Sequence, residues 1–245
     1  RIRMLEETVG GALFVRNQSG AVLTVAGARF QVHAVRIVRA FEAARREIGL
    51  PDDVRARVAI GARFGLWDGE AVAWLVRQRQ ERPEVAVRAE IAFEPELMQE
   101  LIDGHLDIGI MYTPQRRPNL EQLPFMIERL RLITSDPHNS IGPERYIHIE
   151  WAPEFDAQLA SEFPTLFSTR ITVNIGWLGL QYLRTTGGCG YFPERFVGPQ
   201  LESGEFHIVE EAPVLDLPSW LVIRDDRDRS LIDPMVASLL DSVRR

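Results

Sequence analysis

From residue 58 onward the chain alternates short β-prone runs with helical periods, and this rhythm limits the possible folds more than any other feature. Val58-Ala59-Ile60-Gly61 reads as a short apolar strand. Asp68 is placed to cap a helix that reaches Arg82 and stops before Pro83. Val85, Val87, Ala89 and Ile91 alternate as a strand. Pro95 in a first turn and Gly104 at an end bracket the next helix, and Leu106-Asp107-Ile108-Gly109-Ile110-Met111-Tyr112 is a strand again. Strand, helix, strand, helix, strand predicts a parallel sheet with right-handed crossovers.

A second series follows. Leu130 to Ile133 is a strand, Pro153 to Phe163 a helix, Ile171 to Asn174 a strand, Gly176 to Thr186 a helix, and Gly190-Tyr191-Phe192 a strand closed by Pro193. Trp220-Leu221-Val222-Ile223 and the helix Leu231–Val243 have no sheet of their own and are expected to return to the first unit. The expectation is an α/β protein of two lobes joined by two crossing strands, with residues 54–133 and 207–245 in one lobe and 134–206 in the other. Such lobes leave a cleft between them.

Residues 1–53 follow a different pattern. Ile2, Leu5, Val9 and Leu13 recur at helical spacing until Gly10-Gly11 weakens the run, so this is the tail of a helix and a turn. Asn17-Gln18-Ser19-Gly20 then sits between two β-prone runs, as in a small hairpin over 14–23. Thr24 can cap the helix that follows by accepting a backbone N–H bond. In that helix, which runs to about Ile48, the apolar positions Phe30, Ala34, Ile37, Phe41, Ala44 and Ile48 are spaced as a heptad seam. A stripe that narrow buries well against a copy of itself, which predicts pairing of two chains. The alternative is an amphipathic helix packed on its own domain. Gly49 to Asp53 ends the helix and forms a linker.

Composition removes whole classes of chemistry. All 28 basic residues are arginine, which excludes lysine Schiff bases and the phosphate-loop lysine. No strand-linked G-x-G-x-x-G and no H-E-x-x-H occurs, and His148-Ile149-Glu150 lacks the Pro-Cys-x-x-Cys partner of a zinc-deaminase motif. The single Cys189 permits no internal disulfide and no thiolate cluster, so neither metal nor cofactor is expected. It sits in a glycine turn as a small buried residue, and no His partner marks it as a nucleophile. The chain is therefore not expected to be an enzyme. No run of apolar residues suits a membrane span and no stretch reads as a secretory leader, so a cytoplasmic location is expected; the alternative is a leader that lay before Arg1, which is not an initiator Met. The net charge of −7 is uneven: residues 1–50 hold eight Arg against four Glu, a net +4, which leaves −11 for the remainder. A basic end on an acidic body is consistent with two jobs, or with a solvated helix face.

Leu5-Glu6, Val9-Gly10, Leu13-Phe14-x-Arg16 and Leu23-Thr24-x-x-Gly27 together resemble the LysR-type transcriptional regulators. In that family the pattern marks the end of the recognition helix, the wing of a winged helix-turn-helix, and the start of the linker helix. Arg82-Pro83-Glu84-Val85, Leu101-x-x-Gly104-x-Leu106-Asp107-Ile108-Gly109-Ile110, and Gly187 to Pro193 are similar to further family segments, with Cys189 and the bulky Tyr191-Phe192 as departures. The resemblance covers essentially the whole chain. It implies residues 1–23 as the partial DNA-binding domain, 24–53 as the dimerising helix and hinge, and a two-lobed, periplasmic-binding-protein-like effector domain beyond. Most of the recognition helix would lie before Arg1, so this chain is expected to bind promoter DNA weakly or not at all by itself, with Arg1, Arg3 and Arg16 as the remnants of the interface.

By the same resemblance a small-molecule effector would sit between the lobes of a homodimer or homotetramer. It would touch Arg63, Phe64, Gly65, Leu66 and Trp67 after the first strand, Phe93 and Glu94 after the second, Thr113 after the third, and Asn174, Ile175, Gly176 and Trp177 at a helix start. Arg63 either grips a carboxylate with two charge-assisted bonds or pairs with Glu94, which would favour a polar, uncharged ligand. Phe64, Trp67, Phe93 and Trp177 either stack an aromatic effector or belong to the core. A solute-binding receptor of the same fold, without DNA function, is the alternative; it leaves the hairpin and the heptad helix unexplained.

Overall fold

The computed structural model describes every residue except 18–19, 48–50, 52, 139–141, 167–169 and 245. Helix α1 (Ile2–Val9) ends on Gly10, whose φ of 74° supplies the left-handed cap. The Glu6 carboxylate then accepts the N–H groups of Leu13 and Phe14 at 2.7 and 3.0 Å, which sets the turn into the antiparallel hairpin β1 (Phe14–Asn17) and β2 (Gly20–Leu23). Thr24 caps α2 (Val25–Glu47) as expected, its hydroxyl accepting from the Gly27 N–H at 2.9 Å and donating to the Ala12 carbonyl at 2.7 Å. Helix and hairpin approach so closely that a Cβ on Gly27 would lie 2.0 Å from the Leu13 carbonyl oxygen. Along the seam Phe30 and Ala34 are half-buried while Ile37, Phe41 and Ala44 are exposed. Ile48 lies outside the described residues.

The next unit is β3 (Ala56–Ala62), α3 (Phe64–Trp67), α4 (Glu70–Glu81), β4 (Val85–Ile91), α5 (Glu94–Asp103) and β5 (Ile108–Met111). β3 is central and parallel to both β4 and β5, as the alternation predicts. One cap differs. Asp68 does not start α4, because the chain first makes the single turn α3 and leaves it extended at Asp68; Gly69, with φ of 71°, then caps α4. A residue without Cβ takes that φ at no steric cost, which is why glycine rather than the aspartate holds the position.

The long strand β6 (Leu120–Thr134) leads to the second unit: β7 (Ile147–Ile149), α6 (Pro153–Glu162), a single 3-10 turn (Pro164–Leu166), β8 (Ile171–Val173), α7 (Gly176–Thr186), β9 (Cys189–Pro193), α8 (Glu194–Glu202) and β10 (His207–Ile208). β11 (Leu215–Arg224) then runs back antiparallel to β6 and reaches β5, and α9 (Arg229–Ser242) packs on α4, where the buried Trp74 indole donates to the Met235 carbonyl at 3.2 Å. The main sheet has the order β10-β6-β11-β5-β3-β4, with β9 also on β6, while β7 and β8 form a small parallel pair.

β6 and β11 are the two crossing strands. Their register shifts between Pro218 and Trp220, where the Ser219 hydroxyl donates to the Met126 carbonyl at 2.9 Å and accepts the Met126 N–H at 3.3 Å. Pro124 and Pro218 cannot donate to the ladder, so they sit at this irregularity, and the buried Ser219 side chain satisfies the backbone that the bulge frees. One apolar core, including Ile60, Ile110, Leu132, Tyr191, Leu221 and Leu239, runs through both units. A smaller one, built on Ala59, Leu97, Leu101, Leu106 and Val222, lies under α5 on the opposite sheet face. Among the described residues no helix is long and apolar enough to cross a membrane.

Candidate functional site

The C-terminal ends of β3, β4, β5, β7 and β8 converge on the space between the two units, where open α/β sheets hold ligands. Arg63 follows β3 directly, its N–H bonded to the Ile110 carbonyl at 3.1 Å. The residue is only 7% exposed, and its guanidinium has three partners: the Glu94 carboxylate at 3.4 Å, the Glu150 carbonyl at 3.3 Å, and the Phe93 ring, whose centroid lies 4.5 Å away. The side chain therefore ties the start of α5 to the strand end before α6. Its charge is met by Glu94, so of the two sequence alternatives the geometry matches the paired one.

Beside Arg63 a cavity of about 270 Å³ opens. The first unit lines it with Arg63, Phe64, Gly65, Ile91, Ala92, Phe93, Glu96 and Tyr112; the second lines it with Trp151, Asn174, Ile175 and Gly176. Trp151 is held rigidly, its indole N–H donating to the Tyr191 carbonyl at 2.9 Å and its ring edge-on to Phe192. Position 176 must be glycine for this, because a Cβ there would sit 2.2 Å from the Trp151 ring. The Tyr112 hydroxyl is buried and has no hydrogen-bond partner among the described residues. Burial, reinforced by the nearby Glu128 carboxylate, pushes its pKa far above the usual phenol range, so it stays a neutral O–H.

A second hollow, which shares Arg63, Phe93, Trp151 and Asn174 with this cavity and is called its mouth below, runs over Glu94, Thr113, Glu150, Pro153 and Asp156. Burial raises the Asp156 carboxyl above its ordinary value, and His148, whose Nε2 lies 3.1 Å from it, counteracts that. Of the residues expected here, Arg63, Phe64, Gly65, Phe93, Asn174, Ile175 and Gly176 come together on the cavity wall, and Glu94 and Thr113 on its mouth. Leu66 is wholly buried in the core, Trp67 is buried with its indole donating to the Glu90 carbonyl at 3.0 Å, and Trp177 is 51% exposed on α7; none of the three lines the cavity. Ile91, Ala92, Glu96, Tyr112 and Trp151 were not anticipated. Trp151 follows the end of β7, a strand of only three residues that gives little periodic signal.

Behind the cavity, Arg195 of α8 joins the units. It forms a two-pronged pair with the buried Glu128 of β6 and donates to the Gly65 carbonyl at 2.7 Å and the Asp68 carbonyl at 2.8 Å. One guanidinium thus ties a crossing strand and the cavity turn to the second unit.

Residues 51–245 match the LysR substrate binding domain family. The chain belongs to the LysR family of transcriptional regulators. Among its relatives, the HTH-type transcriptional regulator HdfR of Yersinia enterocolitica is 27% identical over 244 residues, 95% of this chain and 82% of that protein. Two solved structures share the fold. ArgP from Mycobacterium tuberculosis has a TM-score of 0.69 at 19% identity, over 99% of this chain and 85% of that one. LysG from Corynebacterium glutamicum, a full-length LysR-type regulator with bound effector Arg, has 0.64 at 17% identity, over 99% and 86%. The two-lobed body is thus a LysR effector domain with the fold of periplasmic binding proteins, and the family consists of DNA-binding regulators rather than enzymes. On this LysR chain Arg1, Arg3 and Arg16 are all exposed, with Arg3 in a surface pair to Glu7 at 3.5 Å.

Proposed function

We propose that this LysR-type regulator senses a small molecule in the cavity beside Arg63, between the lobes, and that copies of the chain pair through the α2 seam. Ligand binding then shifts the oligomer between arrangements on promoter DNA, provided the ligand prefers one of them. The observation that carries the reading is the Tyr112 hydroxyl, a buried polar group without a partner among the described residues, on the wall of a largely apolar cavity. Such groups cost stability unless something bonds to them. Ile37 and Phe41, 63% and 64% exposed on α2, support the pairing. Arg1, Arg3 and Arg16 are assigned to phosphate contacts. Residues 54–133 with 207–245, and 134–206, are taken as the two lobes.

A carboxylate effector would have to displace Glu94 from Arg63, so we favour a ligand that does not depend on that guanidinium. A solute receptor without DNA function would leave the hairpin and α2 without a role. The test is thermal denaturation of the chain against a panel of small alcohols, amines and acids, run beside Gly65→Leu, whose side chain would fill the cavity. A ligand of the folded state raises the midpoint by mass action. The reading expects at least one compound to stabilise the wild type and not Gly65→Leu. No response to any compound, or an equal response from both proteins, contradicts it.

A further inference from the structure

The charges around the cavity do not balance. Among the described residues Arg63 is the only cationic side chain on the cavity wall or its mouth apart from the His148–Asp156 contact, and Glu94 already matches it at 3.4 Å. Glu96 at the cavity rim and Glu150 at the mouth add two exposed carboxylates with no ion pair among the described residues. Arg116 and Arg117 line a neighbouring hollow over Thr113 and Trp220 that also holds Glu154, and Arg117 lines another that shares Glu94 and Thr113 with the mouth, but neither arginine is on the wall of the cavity itself. An anion entering here would leave water for a space bounded by like charge.

A cation entering the same space gains charge-assisted bonds to carboxylates that now face solvent. Phe64, Ile91 and Trp151 offer its body an apolar wall, and the Tyr112 hydroxyl, 3% exposed and without a partner, waits for a polar atom in the depth of the cavity. We infer that the effector is a small organic cation, an amine on a compact apolar body, held between Tyr112 and the Glu96–Glu150 rim. This inference rests on the reading of the cavity as the effector site.

Three probes of nearly equal shape separate the possibilities: 2-phenylethylamine, 2-phenylethanol and phenylacetate, titrated calorimetrically into the full chain at fixed ionic strength. The amine should bind about tenfold more tightly than the alcohol, and the acid most weakly. Both rim carboxylates are on exposed residues, so Glu96→Gln with Glu150→Gln leaves the core and the Glu150 carbonyl in place. In that variant the amine should lose its advantage while the alcohol is unchanged. An acid that binds as well as the amine overturns the inference, as does an amine advantage that survives the double substitution. If phenylacetate or the alcohol binds best and Gly65→Leu abolishes it, the cavity reading stands and only the charge assignment falls. Heat from none of the three counts against the inference, and the wider thermal panel with Gly65→Leu then decides whether the cavity reading falls with it.

Discussion

Tyr112 and Arg63 divide the work of the site between them. Arg63 has its partners and is structural to the cavity; Tyr112 has none. Tyr112→Phe should therefore raise the unfolding free energy by about 0.5–1 kcal/mol while weakening effector binding. A loss of stability in urea titrations would show that the hydroxyl is partnered in solution and is not held for a ligand. Cys189, wholly buried, is of the opposite kind. Burial pushes its thiol up to about 11 from 9.0, and that of Tyr191 pushes its phenol up to about 12. The unfolded thiol ionises first, so it contributes stability below pH 9 that is lost as pH rises through 11. Cys189→Ala should flatten the decline in stability between pH 9 and 11, and a thiol reagent should label the wild type only after unfolding. At this scale it was the resemblance to the family's strand-end turns that pointed to Arg63, Phe93 and Asn174, and the three lie on one cavity wall. Trp151 stayed hidden because its strand is three residues long, and Tyr112 because only a fold can show that a hydroxyl lacks a partner.

Elements were legible where their local signals agreed. Thr24, Pro95 and Gly104 act as the caps their chemistry suggests, and the β3–β4–β5 order follows from the alternation. β6 was read only from Leu130, because Glu121, Gln122, Pro124 and Glu128 interrupt its apolar pattern; its partners on both sides, not its propensity, make it a strand. α8 went unread for a similar reason, with Pro199 inside it, and its place depends on Arg195. That arginine yields a sharp expectation. Arg195→Ala leaves Glu128 buried without its cation and should cost about 3 kcal/mol, whereas Glu128→Leu with Arg195→Met should recover most of the loss, since an apolar pair needs no compensation. Denaturant titrations of Arg195→Ala, of Glu128→Leu and Arg195→Met singly, and of the double variant test this, and additive costs of the two single changes would mean that the two residues do not act as a pair. Gly176→Ala, which collides with Trp151, should weaken effector binding far more than it lowers stability if it displaces only the cavity wall.

At the scale of the whole molecule, an effector domain is attached to a helix whose apolar seam leaves Ile37, Phe41 and Ala44 exposed among the described residues. Phe41→Arg should reduce the sedimenting species to a monomer without altering the melting of the effector domain, and an unchanged sedimentation coefficient would mean that α2 is not the seam. The two-lobed body was legible because the strand–helix rhythm repeats; β11 pairs with β5 and β6, and β6 with β9, so these two strands connect the units. The central claim is that a molecule in the cavity changes how the lobes, and through them the paired chains, are arranged. Small-angle X-ray scattering of the chain with and without a ligand found in the thermal panel tests it most directly. The account predicts that the scattering profile changes on saturation in the wild type and not in Gly65→Leu. Identical profiles for the free and the saturated wild type would contradict it.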